Sequence, residues 1–164
     1  FGQFVNESGE TYNIKSQPVI VEILPVLAAT LTPANDLVAS AGQTIYWPHT
    51  LTNTGNADDQ YRFNIKDESN DSGILTRIQL IHDVNKNGIY DVNDVIIDTT
   101  AHVESLAVGQ SMPLLILAQL PATLAVNSQF HVSLKVTASQ GAPVLERLDK
   151  VYTNAPQQIG RAHV

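Results

Sequence analysis

The chain has 164 residues and a net charge of −7; it is 43% hydrophobic and only 15% charged. That supplies one buried core, argues against disorder and coiled coil, and has the wrong sign for a nucleic-acid or anionic-membrane partner. With no cysteine, disulfides, thiol redox chemistry and thiolate metal sites are excluded, so any structural ion would be held by oxygen.

The first segment, Phe1–Ile14, reads as a small hairpin about Asn6-Glu7-Ser8-Gly9, and residues 1–17 form an N-terminal strand or hairpin segment set before the main run of strands. The start at Phe1, without methionine, fits a processed or excised piece of a longer, exported precursor. A sandwich domain is expected over 18–153. Its first strand is placed within Val19–Leu31, a stretch rich in branched residues.

Period-two alternation, the mark of a strand with one wet face, then recurs. Ile45, Trp47, His49 and Leu51 share a face, and Pro48 between them should sit at an edge, at a bulge, or with its nitrogen turned away from the neighbouring strand. Asn53-Thr54-Gly55-Asn56 is a turn. Tyr61, Phe63 and Ile65 alternate with Arg62, Asn64 and Lys66. Asn70-Asp71-Ser72-Gly73 is the next turn, followed by strands at Leu75–His82 and Val95–Asp98. Beyond the turn at Val108-Gly109-Gln110 come Pro113–Gln119 and the clearest strand, Phe130–Thr137. There Phe130, Val132, Leu134 and Val136 oppose His131, Ser133, Lys135 and Thr137. After Gln140-Gly141-Ala142-Pro143 a last strand runs over Pro143–Tyr152, and 154–164 is a tail or linker. Seven or more short strands without helical periodicity predict an all-β fold, an immunoglobulin-like antiparallel β-sandwich. The longest apolar run, Met112–Ala118, is far short of the roughly 20 residues a membrane-spanning helix needs.

One loop carries chemistry. Asp83, Asn85, Asn87, Asp91 and Asp94 stand at positions one, three, five, nine and twelve, with Gly88 at six for the sharp turn and the Ile89 carbonyl at seven. This is the EF-hand spacing, and three carboxylates with two amide oxygens make a hard site suited to Ca2+. Asp94 stands where a bidentate glutamate is usual. The flanks, Ile74–Ile81 and Val95–Thr100, are β-prone, so the loop joins two strands and not two helices. A dockerin would need two loop-helix repeats, and this chain has one.

Other constellations are weaker. His49, His82, His102, His131 and His163 lack metal-ligand spacing, and no serine sits in a nucleophile elbow, so no catalytic residue is assigned. Trp47 suits a sandwich core better than a sugar platform shared with Tyr46 and Tyr61.

Ala41-Gly42-Gln43-Thr44-Ile45-Tyr46-Trp47 followed by Leu51-Thr52-Asn53-Thr54-Gly55-Asn56 resembles the first core strand and turn of the DUF11, or conserved-repeat, domain of prokaryotic surface proteins. Leu106–Ser111, Leu120-Pro121-Ala122 and Phe130–Ala138 are similar to its later strands, and the Asp83 loop to its calcium-type insert. Tyr12–Ile23 looks like the end of a preceding repeat. His49 and Pro48 depart from the family pattern. The resemblance implies a non-catalytic, extracellular module, calcium-stabilised, serving a surface fibre, filament, surface layer or adhesin stalk. Phe1–Val5 and Thr11–Ile14 are strand-like, so this N-terminal segment either adds as a donor strand to a sheet edge of a neighbouring module or copy, giving self-association by strand addition, or folds as a hairpin onto its own sandwich. The alternative is a calcium-dependent carbohydrate- or protein-binding module of a secreted protein. Neither reading involves membrane insertion.

Overall fold

The computed structural model describes residues 2–5, 11–14, 16–69 and 73–153. The predicted turns Asn6–Gly9 and Asn70–Ser72 and the 154–164 tail lie outside them. Two short strands, β1 (Gly2–Val5) and β2 (Thr11–Ile14), pair antiparallel as expected of the hairpin. The remaining strands are β3 (Ala29–Leu31), β4 (Asp36–Ala39), β5 (Thr44–Asn53), β6 (Asp59–Asp67), β7 (Arg77–His82), β8 (Val95–Ile97), β9 (Glu104–Leu106), β10 (Ser111–Gln119), β11 (Gln129–Ala138) and β12 (Val144–Thr153).

These ten strands form two five-stranded sheets, in the orders β3-β5-β10-β7-β8 and β4-β12-β11-β6-β9. The fold is an immunoglobulin-like β-sandwich. Every pairing is antiparallel except that of β4 with β12, because the chain crosses from the first sheet to the second between β3 and β4 without reversing direction.

Alternation places the core. Ile45, Trp47 and Leu51 of β5, Tyr61 and Phe63 of β6, and Phe130, Val132, Leu134 and Val136 of β11 all face inward and are buried. Each such large side chain contributes about 1.5–3 kcal/mol by leaving water. Trp47 is 0% exposed and donates its Nε1–H to the Lys150 carbonyl at 3.0 Å, so the ring belongs to the core and has no face for a sugar. Strand β10 lies between β5 and β7 and is apolar on both sides. Leu114 and Ile116 join the main core, while Leu115 and Leu117 pack on the outer face with Ile81, Tyr46 and Tyr90. The Met112–Ala118 run is therefore a central strand covered on both faces.

One expectation needs correction. Within Val19–Leu31 only Ala29–Leu31 forms a strand, and residues 18–28 have no regular structure. Branched residues favour a strand only if a neighbouring strand supplies hydrogen bonds, and the bonds this stretch receives, at Leu24, Val26 and Ala28, come from the Asn53–Asn56 turn and not from a strand. Two short strands, β4 and β9, carry too few residues for an alternation to register. Pro48 meets its expectation: it lies past the three-residue pairing of β3, and its carbonyl accepts from Asn35 Nδ2 at 2.9 Å.

Candidate functional site

The Asp83–Asp94 loop leaves β7 at His82 and enters β8 at Val95, so it joins two strands as the sequence predicts. Its first residue is fixed to the sheet: the Asp83 amide donates to the Pro113 carbonyl at 3.1 Å, and the side chain is buried. Lys86 and Gly88 adopt φ of 57° and 78°, the left-handed turns that wrap the backbone around the Asp83 carboxylate. That carboxylate accepts from Asn87 N–H at 3.2 Å and Gly88 N–H at 2.9 Å.

The next donors repeat one device. Asn85 Oδ1 accepts from Asn87 N–H at 3.3 Å, Asn87 Oδ1 from Ile89 N–H at 3.0 Å, and Asp91 Oδ1 from Asn93 N–H at 2.8 Å. Each is a side chain bonding the backbone two residues on, the local chemistry that makes Asn and Asp turn formers. Asp94 closes the loop, accepting from Val84 N–H at 2.9 Å and Asp91 N–H at 3.0 Å. Tyr90 reaches back to pack beside Ile81, Leu115 and Leu117, which ties the loop to the outer face of the sheet.

Of the six predicted ligand positions, three meet at one point. The amide nitrogens of Asn85 and Asn87 donate to Asp91 Oδ2 at 2.8 and 2.5 Å. These bonds, led by that from Asn85 and then by the Asn93 backbone, hold the Asp91 carboxyl below the ordinary carboxylate range. The Asp83 and Asp94 carboxylates accept from backbone N–H groups of the loop instead, and Ile89 is exposed. Among the described residues no cluster of three or more Asp, Glu or His groups is closed tightly enough to hold a metal by itself.

The donor set fits a hard cation nonetheless. Asn85 Oδ1 and Asn87 Oδ1 each retain a lone pair beyond the backbone N–H they accept, as does every Asp83 and Asp94 oxygen beyond its single N–H partner. Asp83, Asn85, Asn87, Asp91, Asp94 and the Ile89 carbonyl are the groups that would hold it. Such closure calls for side-chain rotation within a loop whose backbone already wraps inward.

A second cluster escaped sequence reasoning. The Asn53–Asn56 turn grips the chain that leads into β3. Thr54 N–H and Gly55 N–H donate to the Ala28 carbonyl at 2.9 and 3.0 Å, and Asn56 N–H to the Val26 carbonyl at 3.0 Å. The Asn56 side chain completes the grip, accepting from Val26 N–H at 2.5 Å and donating to the Leu24 carbonyl at 3.0 Å. Asn53, fully buried, braces the turn by donating to the carbonyls of Ala57 and Leu106. A glycine between two asparagines was the available signal. This grip and the Asp83 loop lie at the same pole of the sandwich, since Thr52 pairs with Ser111 and Asp83 bonds Pro113.

No family model matches the chain, and no curated protein matches it. Solved structures do share its fold. A family 123 glycoside hydrolase from Clostridium perfringens aligns over 81% of this chain at 12% identity and a TM-score of 0.53. The chain spans 28% of that hydrolase. The periplasmic chaperone SfaE aligns over 80% of this chain and 59% of its own length, at 14% identity and a TM-score of 0.43. The CooA pilin subunit from enterotoxigenic Escherichia coli aligns over 79% of this chain and 99% of its own, at 9% identity and 0.41. At such identities the likeness is one of fold alone. No helix among the described residues is long and apolar enough to cross a membrane.

Proposed function

We propose that this chain is a non-catalytic structural module of an exported, cell-surface protein, related to the DUF11 domains that its Ala41–Asn56 and Phe130–Ala138 segments resemble, and stabilised by calcium in the Asp83–Asp94 loop. The observation that carries the reading is the convergence of Asn85, Asn87 and Asp91 within a strand-to-strand loop whose backbone wraps around Asp83.

When bound, calcium supplies positive charge that offsets the mutual repulsion of three carboxylates. The protein's part is geometric. Asp83 anchors the loop to β10 through Pro113, Tyr90 pins its far side, and Asp94 joins its two ends immediately before β8. Ordering this loop fixes β8 against β7 and stiffens the pole through which the chain enters the sandwich. An extracellular module with calcium tenfold above its dissociation constant gains about 1.4 kcal/mol. Modules of this kind act by joining, through neighbouring modules in one chain or by strand addition between chains.

Thermal unfolding in excess EGTA and then in millimolar calcium tests the proposal, with Asp83→Ala and Asp94→Ala alongside. A calcium-dependent rise present in the native chain and lost in both variants supports it. An identical transition in both buffers reduces the loop to a self-contained polar turn and removes calcium from the reading.

A further inference from the structure

Two pieces of strand-forming chain stand exposed in this protein. The first is Val19–Leu24, bounded by Pro18 and Pro25. Its five apolar residues, Val19, Ile20, Val21, Ile23 and Leu24, are each at least 67% exposed, and the segment forms no strand within the described chain. A run of branched residues left in water on both faces is costly and is strand material without a sheet. The second is β8, the outermost strand of its sheet. Val95 and Ile96 are 56% and 44% exposed, and the strand carries no lysine or proline of the kind that keeps an edge from pairing.

Backbone parity shows what β8 has to offer. The Asp83 amide bonds Pro113 across to β10, so odd-numbered residues of β7 turn their backbone groups toward β10 and even-numbered ones toward β8. Leu80 pairs with Ile97 and His82 with Val95. Ile96 therefore directs its N–H and C=O outward, to the open edge.

We propose that Val19–Leu24 of one copy adds as a strand to β8 of a second copy. Only one alignment of faces is compatible with both segments. With Ile20 opposite Ile96, Val19 and Val21 fall on the inner face with Val95 and Ile97, and Glu22 stays in water. A slip of one residue would turn Glu22 into the apolar face. Two other open stretches fit less well: that of β5 contains Pro48, whose carbonyl Asn35 already occupies, and β9 presents Glu104 and Ser105.

Reach favours a pairing between copies. Asn56, just past the end of β5, holds the Leu24 carbonyl, and a strand beyond β8 lies four strand spacings from β5, about 19 Å away. Leu24 to Ile20 spans about 13 Å when fully extended, less than that separation. Because donor and acceptor are different surfaces, the contact is head to tail and leaves a free donor and a free edge at the two ends, the geometry of an open series. The inference rests on the reading of the chain as a joining module and names the two surfaces that join.

The test uses Ile20→Lys and Ile96→Lys, both at exposed positions, with circular dichroism confirming the fold of each. Sedimentation of the native chain should show species growing beyond the dimer with concentration, and each variant alone should associate at least tenfold more weakly. Their equimolar mixture should give a dimer and nothing larger, because Ile20→Lys keeps a working β8 and Ile96→Lys keeps a working donor strand. A native chain that stays monomeric at several hundred micromolar overturns the inference. So does assembly that proceeds unchanged in either variant, and in that case the joining-module reading stands while these two surfaces do not.

Discussion

His49 and Asp149 meet inside the sandwich, Nε2 to Oδ2 at 2.6 Å, with both side chains wholly shielded from water. The remaining polar atoms of the pair are also engaged. His49 Nδ1 lies 3.1 Å from the Thr32 carbonyl, and Asp149 Oδ1 accepts from Asn35 N–H at 2.8 Å. The pair thus links β5 of one sheet to β12 of the other and fixes the crossover between β3 and β4. Asp149→Ala should cost about 3–5 kcal/mol in urea unfolding, because it strands a buried imidazole and the Asn35 amide. Replacing both residues with leucine should cost clearly less than that single change. Equal losses would show that the pair is not coupled.

Gly55 lies under the incoming chain. A Cβ there would fall on the Val26 carbonyl oxygen and 2.9 Å from the Ala28 amide, both backbone atoms with little room to yield. Gly55→Ala should destabilise the domain by about 1–3 kcal/mol. Hydrogen exchange at Val26 should quicken at the same time, since the substitution displaces the segment that Asn56 holds. Unchanged protection of Val26 would mean that the grip tolerates a methyl group.

If calcium adds about 1.4 kcal/mol, the midpoint of thermal unfolding should rise by about 3–6 °C for a domain of this size. Tyr90→Ala should lower stability in EGTA as well as in calcium, because Tyr90 covers Leu115 and Leu117 whatever the loop binds. A loss seen only in calcium would place Tyr90 in the ion site instead of on the sheet.

Asp91 and Asp98 are both held below the ordinary carboxylate range, Asp91 first by the Asn85 amide and Asp98 first by the Thr100 hydroxyl. A depressed folded value means that each contributes stability above its unfolded titration range and loses it as pH falls through the folded value. Order in both loops should therefore persist through mild acid and fail only in strong acid. Carboxyl-carbon NMR titration would report this directly. An Asp91 curve at the ordinary aspartate position would contradict the Asn85 and Asn87 bonds.

The sandwich was legible where a strand has one wet face. The alternations in β5, β6 and β11 predicted most of the buried positions, with Ser133 buried against its alternation and Ile65 only half-buried, and the β-prone flanks of the Asp83 loop predicted that it joins two strands. The strand expected over residues 19–28 marks the limit of that reasoning: composition reports what a segment would do given a neighbour, and only the fold reports whether one is present. The His49–Asp149 pair was invisible for another reason. Its members are 100 residues apart in the chain, and neither stands in a pattern that points to the other. The Asn53–Asn56 turn was recognised as a turn, but its grip on residues 24–28 depends on where the chain passes in space.

That grip also decides how the domain would carry load. A pull on residues before Leu24 reaches the fold through five hydrogen bonds from Thr54, Gly55 and Asn56 before it reaches β3. Asn53 then shares the tension, since its amide joins the turn to the Leu106 carbonyl in the opposite sheet. Force entering at one corner is thus divided between both layers of the sandwich, and the three-residue β3 is spared from being peeled away first.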